Sequence, residues 1–287
     1  GEVLDAQIAY WRKQLYEATA LELPVNRSTT ALRTAHGALT SFQFSTDLSE
    51  SLVALSRREG ITLFMLLLAA FQTFLYRYTG KEDIVIGTDI ANRVRMETEG
   101  MIGFFVNLLA LRTRFYGNPR FREILQQVRE VVLDAYAYQD LPFEQIVDAC
   151  QLERTANQIP LIRVLFVFQN APMIPLQMQG LTIQPIEIEM HTTNFDLAVF
   201  LREEAGSLSG AVNYSTDLFD AETIATILQQ FEVLLHDVVD RTDARVNALE
   251  IHTEEKKQQQ YLEIARKESK LRQHLKATRR TDIDLSE

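Results

Sequence analysis

The stretch "TGKEDIVIGTDIANRVRMETEGMIGFFVNLLALRTRF" (79–115) decides the architecture, because its two apolar runs need surroundings that the polar segment between them does not. EDIVIGTDIA (82–91) and FFVNLLALRTRF (104–115) are β-branched or aromatic, and too continuous for strands with one wet face. They read as interior strands covered on both sides. The joining NRVRMETEGMIG is a charged loop that ends in Gly103. Asn107 stands inside the second run, and its carboxamide must find partners or cost on the order of 1–3 kcal/mol.

Just upstream lies ITLFMLLLAAFQTFLYRY (61–78), nearly the roughly 20 apolar residues that cross a bilayer. Gln72, Thr73 and Arg77 interrupt it, and Arg57, Arg58, Glu59 and Lys81 lie close by, so it reads as a core helix. Thr62 is placed to cap it and Gly80 closes it. Further upstream, residues 5–17 form an amphipathic pattern, with Ile8, Trp11 and Leu15 opposite Gln7, Arg12 and Lys13. LPVNRSTTALRTAHG (23–37) reads as a surface linker, and ALTSFQFST (38–46) alternates like a strand. Asp47 or Ser49 can cap the short helix that follows, which runs to about Arg58 and ends at Gly60.

Downstream, Gly117-Asn118-Pro119 opens a helix that runs to about Tyr136. YAYQDLPFEQIVDA (136–149) then sets Gln139, Asp140 and Pro142 between two buriable stretches. Pro142 fits the first turn of a second helix, where its missing N–H costs nothing. Asp140 is placed to cap that helix, with Phe143, Ile146 and Val147 turned to the core. LIRVLFVFQN (161–170) and LTIQPIEIEM (181–190) read as two more apolar strands. FDLAVFLREE (195–204) and LSGAVNYSTD (208–217) make a hairpin through Ala205-Gly206-Ser207. A final core helix spans about 221–239.

From about 253 the chain is charged, free of Pro and Gly, and thinly apolar. It reads as a solvated helix trailing off the domain or as a connector to another domain or protein. The chain thus divides into a lead-in helix and linker (1–37), a main body (38–252) and a charged tail (253–287). Helices interspersed among six to eight strands, with no short repeat, make an α/β layered sandwich with a mixed sheet flanked by helices.

Bulk properties narrow the function. Hydrophobic residues are 46% of the 287, enough for a real core. A net charge of −10 without a basic block argues against nucleic acid as a partner. The lone Cys150 rules out an internal disulfide framework and fits a reducing, cytoplasmic setting. GEVLDAQIAYW has no basic segment leading into an apolar run, so no secretory signal is visible, and no membrane partner is expected.

No G-x-S-x-G elbow, Walker loop, H-E-x-x-H or C-x-x-C is present. The histidines at 36, 191, 236, 252 and 274 are scattered; His236 and His274 fall on helix surfaces, and His191 alone is expected near a cavity. Three polar insertions remain: Asn107, Gln139-Asp140, and Asn194-Phe195-Asp196. Each is either a structural hydrogen bond or a polar group in a mostly apolar channel.

Residues 79–115 resemble condensation domains of nonribosomal peptide synthetases, whose I/V-G-x-F-V-N motif is carried by Ile102, Gly103, Phe105, Val106 and Asn107. YQDLPFEQIVD (138–148) resembles the family's H-Q-D-x-P-F-E, with Gln139, Asp140, Pro142, Phe143 and Glu144 matching. YWRKQL and FDLAVFLREEAGSLSGAVNYSTDLFDAETI fit in order, so the likeness runs over about residues 5–251.

The resemblance implies one lobe of a two-lobed domain, each lobe similar to chloramphenicol acetyltransferase, with a channel between them. The family's catalytic H-H-x-x-x-D-G belongs to the other lobe, and no adjacent histidine pair occurs here. The implied role is that of the C-terminal lobe: a channel wall and part of a docking surface for carrier proteins that bring donor and acceptor on phosphopantetheine arms. No cofactor of its own, no metal and no catalytic residue are implied, and the lobe alone is expected to be inactive. The alternative is a non-catalytic relative that recruits a carrier protein or a tailoring oxygenase. Expected partners are the N-terminal lobe, carrier proteins, and a tailoring enzyme or downstream domain through the tail. The implied channel and motif residues are Phe105, Asn107, Tyr138, Gln139, Asp140, Arg154, Asn194 and Asp196. Tyr138 replaces the family's usual His, Leu108 a common Thr, and RTANQIPL (154–161) keeps only Arg154, Pro160 and Leu161 of R-D-x-S-R-N-P-L.

Overall fold

The computed structural model describes residues 1–25, 34–93, 96–154, 158–169, 191–204 and 206–253. In chain order these build α1 (Glu2–Gln14), β1 (Gly37–Gln43), α2 (Thr46–Arg58), α3 (Leu63–Thr79), β2 (Asp83–Ile90) and α4 (Met96–Glu99). There follow β3 (Asn107–Arg114), α5 (Phe121–Ala137), α6 (Phe143–Ala149), β4 (Val164–Gln169), β5 (Leu197–Glu204), β6 (Ser207–Ser215) and α7 (Ala221–Asp240). The strand expected over 181–190, the tail beyond 253 and part of the linker lie outside the described residues.

The six strands form one mixed sheet in the order β1-β6-β5-β4-β2-β3. The two interior strands pair antiparallel from Asp83↔Arg114 to Ile90↔Asn107. Beside them β4 runs parallel to β2, but the register holds only one residue pair, Gly87↔Leu165. A side chain on Gly87 would bring its Cβ to 2.6 Å from Ile162 Cγ2, so the close approach requires glycine here. On its other flank β4 pairs with β5 along its whole length. Glu204 already pairs with Ser207, so the hairpin turn is shorter than the three residues expected, with Gly206 at φ +81°.

The apolar helix forms the centre of the core. Every residue of α3 from Met65 to Tyr76 is buried, and α2, α5 and α7 pack around it against the sheet. No single helix among the described residues is long and apolar enough to cross a membrane. The polar interruptions in α3 are satisfied internally. Gln72 donates to the Leu111 carbonyl and accepts from Thr113 Oγ1, fastening α3 to β3, while Thr73 bonds back to Ala69. Phe71 stacks on Phe166 of β4 with centroids 5.1 Å apart and meets Phe231 of α7 edge-on at 5.5 Å. Thr62 and Gly80 cap the helix as expected, Gly80 at φ +71°.

Two local readings are corrected. The cap of α2 is Ser45, whose side chain accepts from the Leu48 N–H; Asp47 and Ser49 already lie inside the helix. Ser49 instead turns inward and accepts from the Leu208 N–H, tying α2 to β6. Gln7 lies on the buried side of α1 rather than its wet side, with Trp11 and Leu15.

A half-buried ion pair within the sheet positions the arginine that holds α1. Arg112 on β3 grips the Asp83 carboxylate through two nitrogens at 2.8 and 2.5 Å. Its remaining nitrogen donates to the carbonyls of Gln14 and Tyr16, at the end of α1. The arginine is 5% exposed, so each of these bonds replaces water that cannot return. Arg112→Ala is expected to cost about 2 kcal/mol, since it leaves the Gln14 and Tyr16 carbonyls and the partly exposed Asp83 carboxylate without their donor. Urea unfolding measures that loss, and faster protease cleavage near residues 15–25 reports the release of α1.

Candidate functional site

The site grows from the end of the β2–β3 pair. Ile90↔Asn107 is the last register pair, so β3 begins at Asn107 and not at Phe104 as its apolar run suggested. Before that point the chain is held by Arg93, which no motif had singled out. Its guanidinium donates to the carbonyls of Thr98, Met101 and Gly103, and lies 4.3 Å over the Phe105 ring. Around this bend Ile102 and Phe104 are almost wholly exposed, with Met96, Met101 and Val106 also exposed.

Asn107 finds the partners that its place in an apolar run demands. Its Nδ2 donates to the carbonyls of Gln139 and Leu141, both at 2.9 Å. Its Oδ1 accepts from the N–H groups of Leu108 at 3.0 Å and Phe143 at 3.1 Å. Two carbonyls on one end and two N–H groups on the other fix the amide's orientation and use its full bonding capacity.

The α5–α6 corner therefore closes on a side chain from another element. Pro142 is the N-cap of α6, one position earlier than expected, and makes no side-chain cap; Asp140 does not cap the helix either. The cap is supplied across the fold by Asn107, which takes the N–H of the first helical residue, Phe143. The apolar expectation holds: Phe143, Ile146 and Val147 are buried. From behind, α1 straps the corner. Trp11 Nε1 donates to the Tyr138 carbonyl at 3.0 Å, and Arg12 Nε to the Ala149 carbonyl at the end of α6 at 2.9 Å. Tyr138 stacks on Tyr10 with ring centroids 4.2 Å apart and planes within 9°. Burial pushes the Tyr10 hydroxyl well above its ordinary pKa, helped by nearby Asp134 and Tyr138, and keeps it protonated.

In front of the corner opens a cavity of about 790 Å³, within the range of small-molecule sites. Its walls are mainly apolar, from Phe104, Phe105, Leu108, Val147, Ile159 and Phe195, with Asp89, Asp140, Glu144 and Arg154 among its polar members. Arg154 is already paired with Asp148 at 2.6 Å. Asp89, one residue from the end of β2, is pushed above the ordinary carboxylate pKa by lost hydration in these surroundings.

Of the eight residues expected at the site, Phe105, Asn107, Asp140 and Arg154 line this cavity. Tyr138 and Gln139 sit behind it, serving through ring stacking and a backbone carbonyl. Asn194 is exposed and does not line the cavity. Asp196 is buried next to Phe195, where its N–H donates to the Arg163 carbonyl and its carbonyl accepts from the Ser215 N–H. Asp89, Arg93 and Phe104 were missed, and Glu144 was read as a motif match but not as a site residue. Asp89 carried a signal, as an acid ending a strand that reads as interior. His191 is exposed beside β1, where its carbonyl accepts from the Gly37 N–H, and does not line the cavity. No group of three metal-binding side chains occurs among the described residues.

The condensation domain family model matches residues 2–261. A linear gramicidin synthase protein of Brevibacillus parabrevis is 45% identical over 262 residues, 90% of this chain and 3% of that protein. Malpibaldin synthetase of Mortierella alpina is 38% identical over 249 residues, 86% of this chain and 4% of that protein. The chain therefore spans a small part of the length of these relatives. Among solved structures, the X-domain from teicoplanin biosynthesis matches with a TM-score of 0.80 and 25% identity, over 88% of this chain and 58% of that one. The X-domain in a complex with OxyB from teicoplanin biosynthesis matches with a TM-score of 0.78 and 25% identity, over 88% and 56%.

Asn107→Ala is expected to cost about 2 kcal/mol, because it strands two carbonyls and two N–H groups that are only partly hydrated. Asn107→Asp has the same shape and still accepts from the Leu108 and Phe143 N–H groups, but it has no donors for the Gln139 and Leu141 carbonyls and should be less stable than wild type. Urea denaturation measures both, and faster hydrogen exchange at the Phe143 amide locates the damage to the corner.

Proposed function

The chain belongs to the condensation domain family, and on that premise we propose that it acts as the C-terminal lobe of a nonribosomal peptide synthetase condensation domain. In this reading it supplies one wall of the substrate channel and part of the surface on which carrier proteins dock, for amide formation between carrier-bound donor and acceptor. The observation that carries the reading is the cavity braced by Asn107, open on one side and bordered by the exposed Phe104, with Ile102 exposed two residues before it. A cavity open on one side, beside an exposed apolar edge, suits closure by a second lobe. The share of the X-domain structure that it matches, 58%, agrees with a single lobe.

The chain contributes binding and shape, not the proton chemistry. It contains no adjacent histidines, and its cavity is lined by no histidine among the described residues. Phosphopantetheine is expected on the carrier proteins alone, and the setting is cytoplasmic. The isolated chain should form no amide.

A second reading has one observation in its favour. The X-domain that matches this chain was solved in complex with OxyB, and Tyr138 stands where the resemblance expects a histidine. This chain would then recruit a tailoring oxygenase to a carrier-bound substrate.

Mixing donor- and acceptor-loaded carrier proteins with this chain should yield no amide product by mass spectrometry, whereas fluorescence anisotropy should detect carrier binding at sub-millimolar concentration. Amide formation by the chain alone, or absence of carrier binding, would overturn the first reading. Tight binding of an oxygenase in the same titration, with none of the carrier alone, would establish the second.

A further inference from the structure

Asp89 lines the cavity as an exposed carboxylate that the fold itself does not use. It stands opposite Leu108 in the β2–β3 register, so the two side chains share a face of the sheet and border the same cavity. Its carboxylate makes no hydrogen bond or ion pair with the described residues. The guanidinium in the cavity, Arg154, is already engaged by Asp148. Two further polar members, Asp140 and Glu144, are acids as well. The Asp89 carboxylate is open toward the cavity mouth but shares its surroundings with Phe105, Leu108 and Phe195. It loses part of its hydration there, and a cation entering the cavity would make up the loss.

The cation's chemistry can be narrowed. A divalent metal would ask for several oxygen ligands, and no group of three acidic, histidine or cysteine side chains comes together among the described residues. Carboxylates set apart among apolar and aromatic walls are instead the recognition chemistry of an organic ammonium, which needs one charge partner and tolerates ring faces around it. The cavity volume of about 790 Å³ leaves room for an aminoacyl group with part of the arm that carries it.

We propose that Asp89 is the ion-pair partner of a primary ammonium group on the ligand in this cavity, and so a specificity-determining residue for an amine-bearing acceptor. This rests on the channel-wall reading above for the identity of the ligand, but the pairing itself depends only on the cavity. Asp89 selects an amine over an uncharged isostere and orients its nitrogen, with no bond made or broken by the carboxylate.

The test uses two probes that differ at one group, alanyl-pantetheine amide and lactyl-pantetheine amide, titrated into the full chain by calorimetry or NMR. Wild type should prefer the amine roughly fivefold or more, the scale of a partly solvated charged pair. Asp89→Asn should abolish the preference while leaving the affinity for the lactyl probe and the melting temperature unchanged. Glu144→Gln should retain it. A preference that survives Asp89→Asn, moves to Glu144, or is absent in wild type overturns the proposal. The two readings fail separately. Amine preference without carrier binding would overturn the channel-wall role and leave the Asp89 pairing standing, and carrier binding without amine preference would do the reverse.

Discussion

The carboxamide of Asn107 is the interaction on which the site depends. Beyond its bond to the neighbouring Leu108 N–H, it joins the first residue of β3 to three backbone positions of the α5–α6 corner, 32 to 36 residues further along the chain. Neither partner could keep this geometry alone. Without Asn107 the corner has no cap, because Pro142 and Asp140 make none. Without the corner the carboxamide sits half-buried and unsatisfied. Each supplies what the other lacks, and the cavity mouth lies where they meet.

The lead-in helix belongs to the same arrangement. Trp11 and Arg12 bond to backbone carbonyls at either end of the corner, while Arg112 holds the tail of that helix against β3. Trp11 is wholly buried and Leu15, Leu21 and Leu23 join the core. The corner is thus clamped from two sides, by a strand in front and a helix behind. Most of these bonds run from side-chain donors to main-chain acceptors, which leaves the cavity walls free to be apolar.

Much of this could be read from the sequence. Periodicity and β-branching located the buried helix, the paired interior strands and the hairpin, because burial leaves a dense local mark. Polar residues amid apolar runs pointed to Asn107 and to the corner. What periodicity could not give was the partner of each polar group. Asp140 looked like a cap because the nearest suitable acid usually is one, yet the true cap lay on another strand. Gln7 looked wet because the helical pattern alone does not reveal a second packing surface. Arg93 was passed over as part of a charged loop, since its value lies in three carbonyls that gather only once the loop has folded. Ser45 was missed in favour of two neighbours that were equally good by residue type.

The seam beside Gly87 has a mechanical consequence. Along it the sheet is joined by a single register pair, whereas the strands on either side are laced along most of their length. Ladder pairing is therefore dense within the β2–β3 ribbon and within the β4-β5-β6-β1 block, and sparse between them. Asp89, Leu108 and Asn107 ride on the ribbon, while Ile159, Pro160 and Phe195 lead into the block. The cavity straddles the most sparsely bonded line in the sheet, and its two sides are held together there by side-chain packing more than by ladder hydrogen bonds.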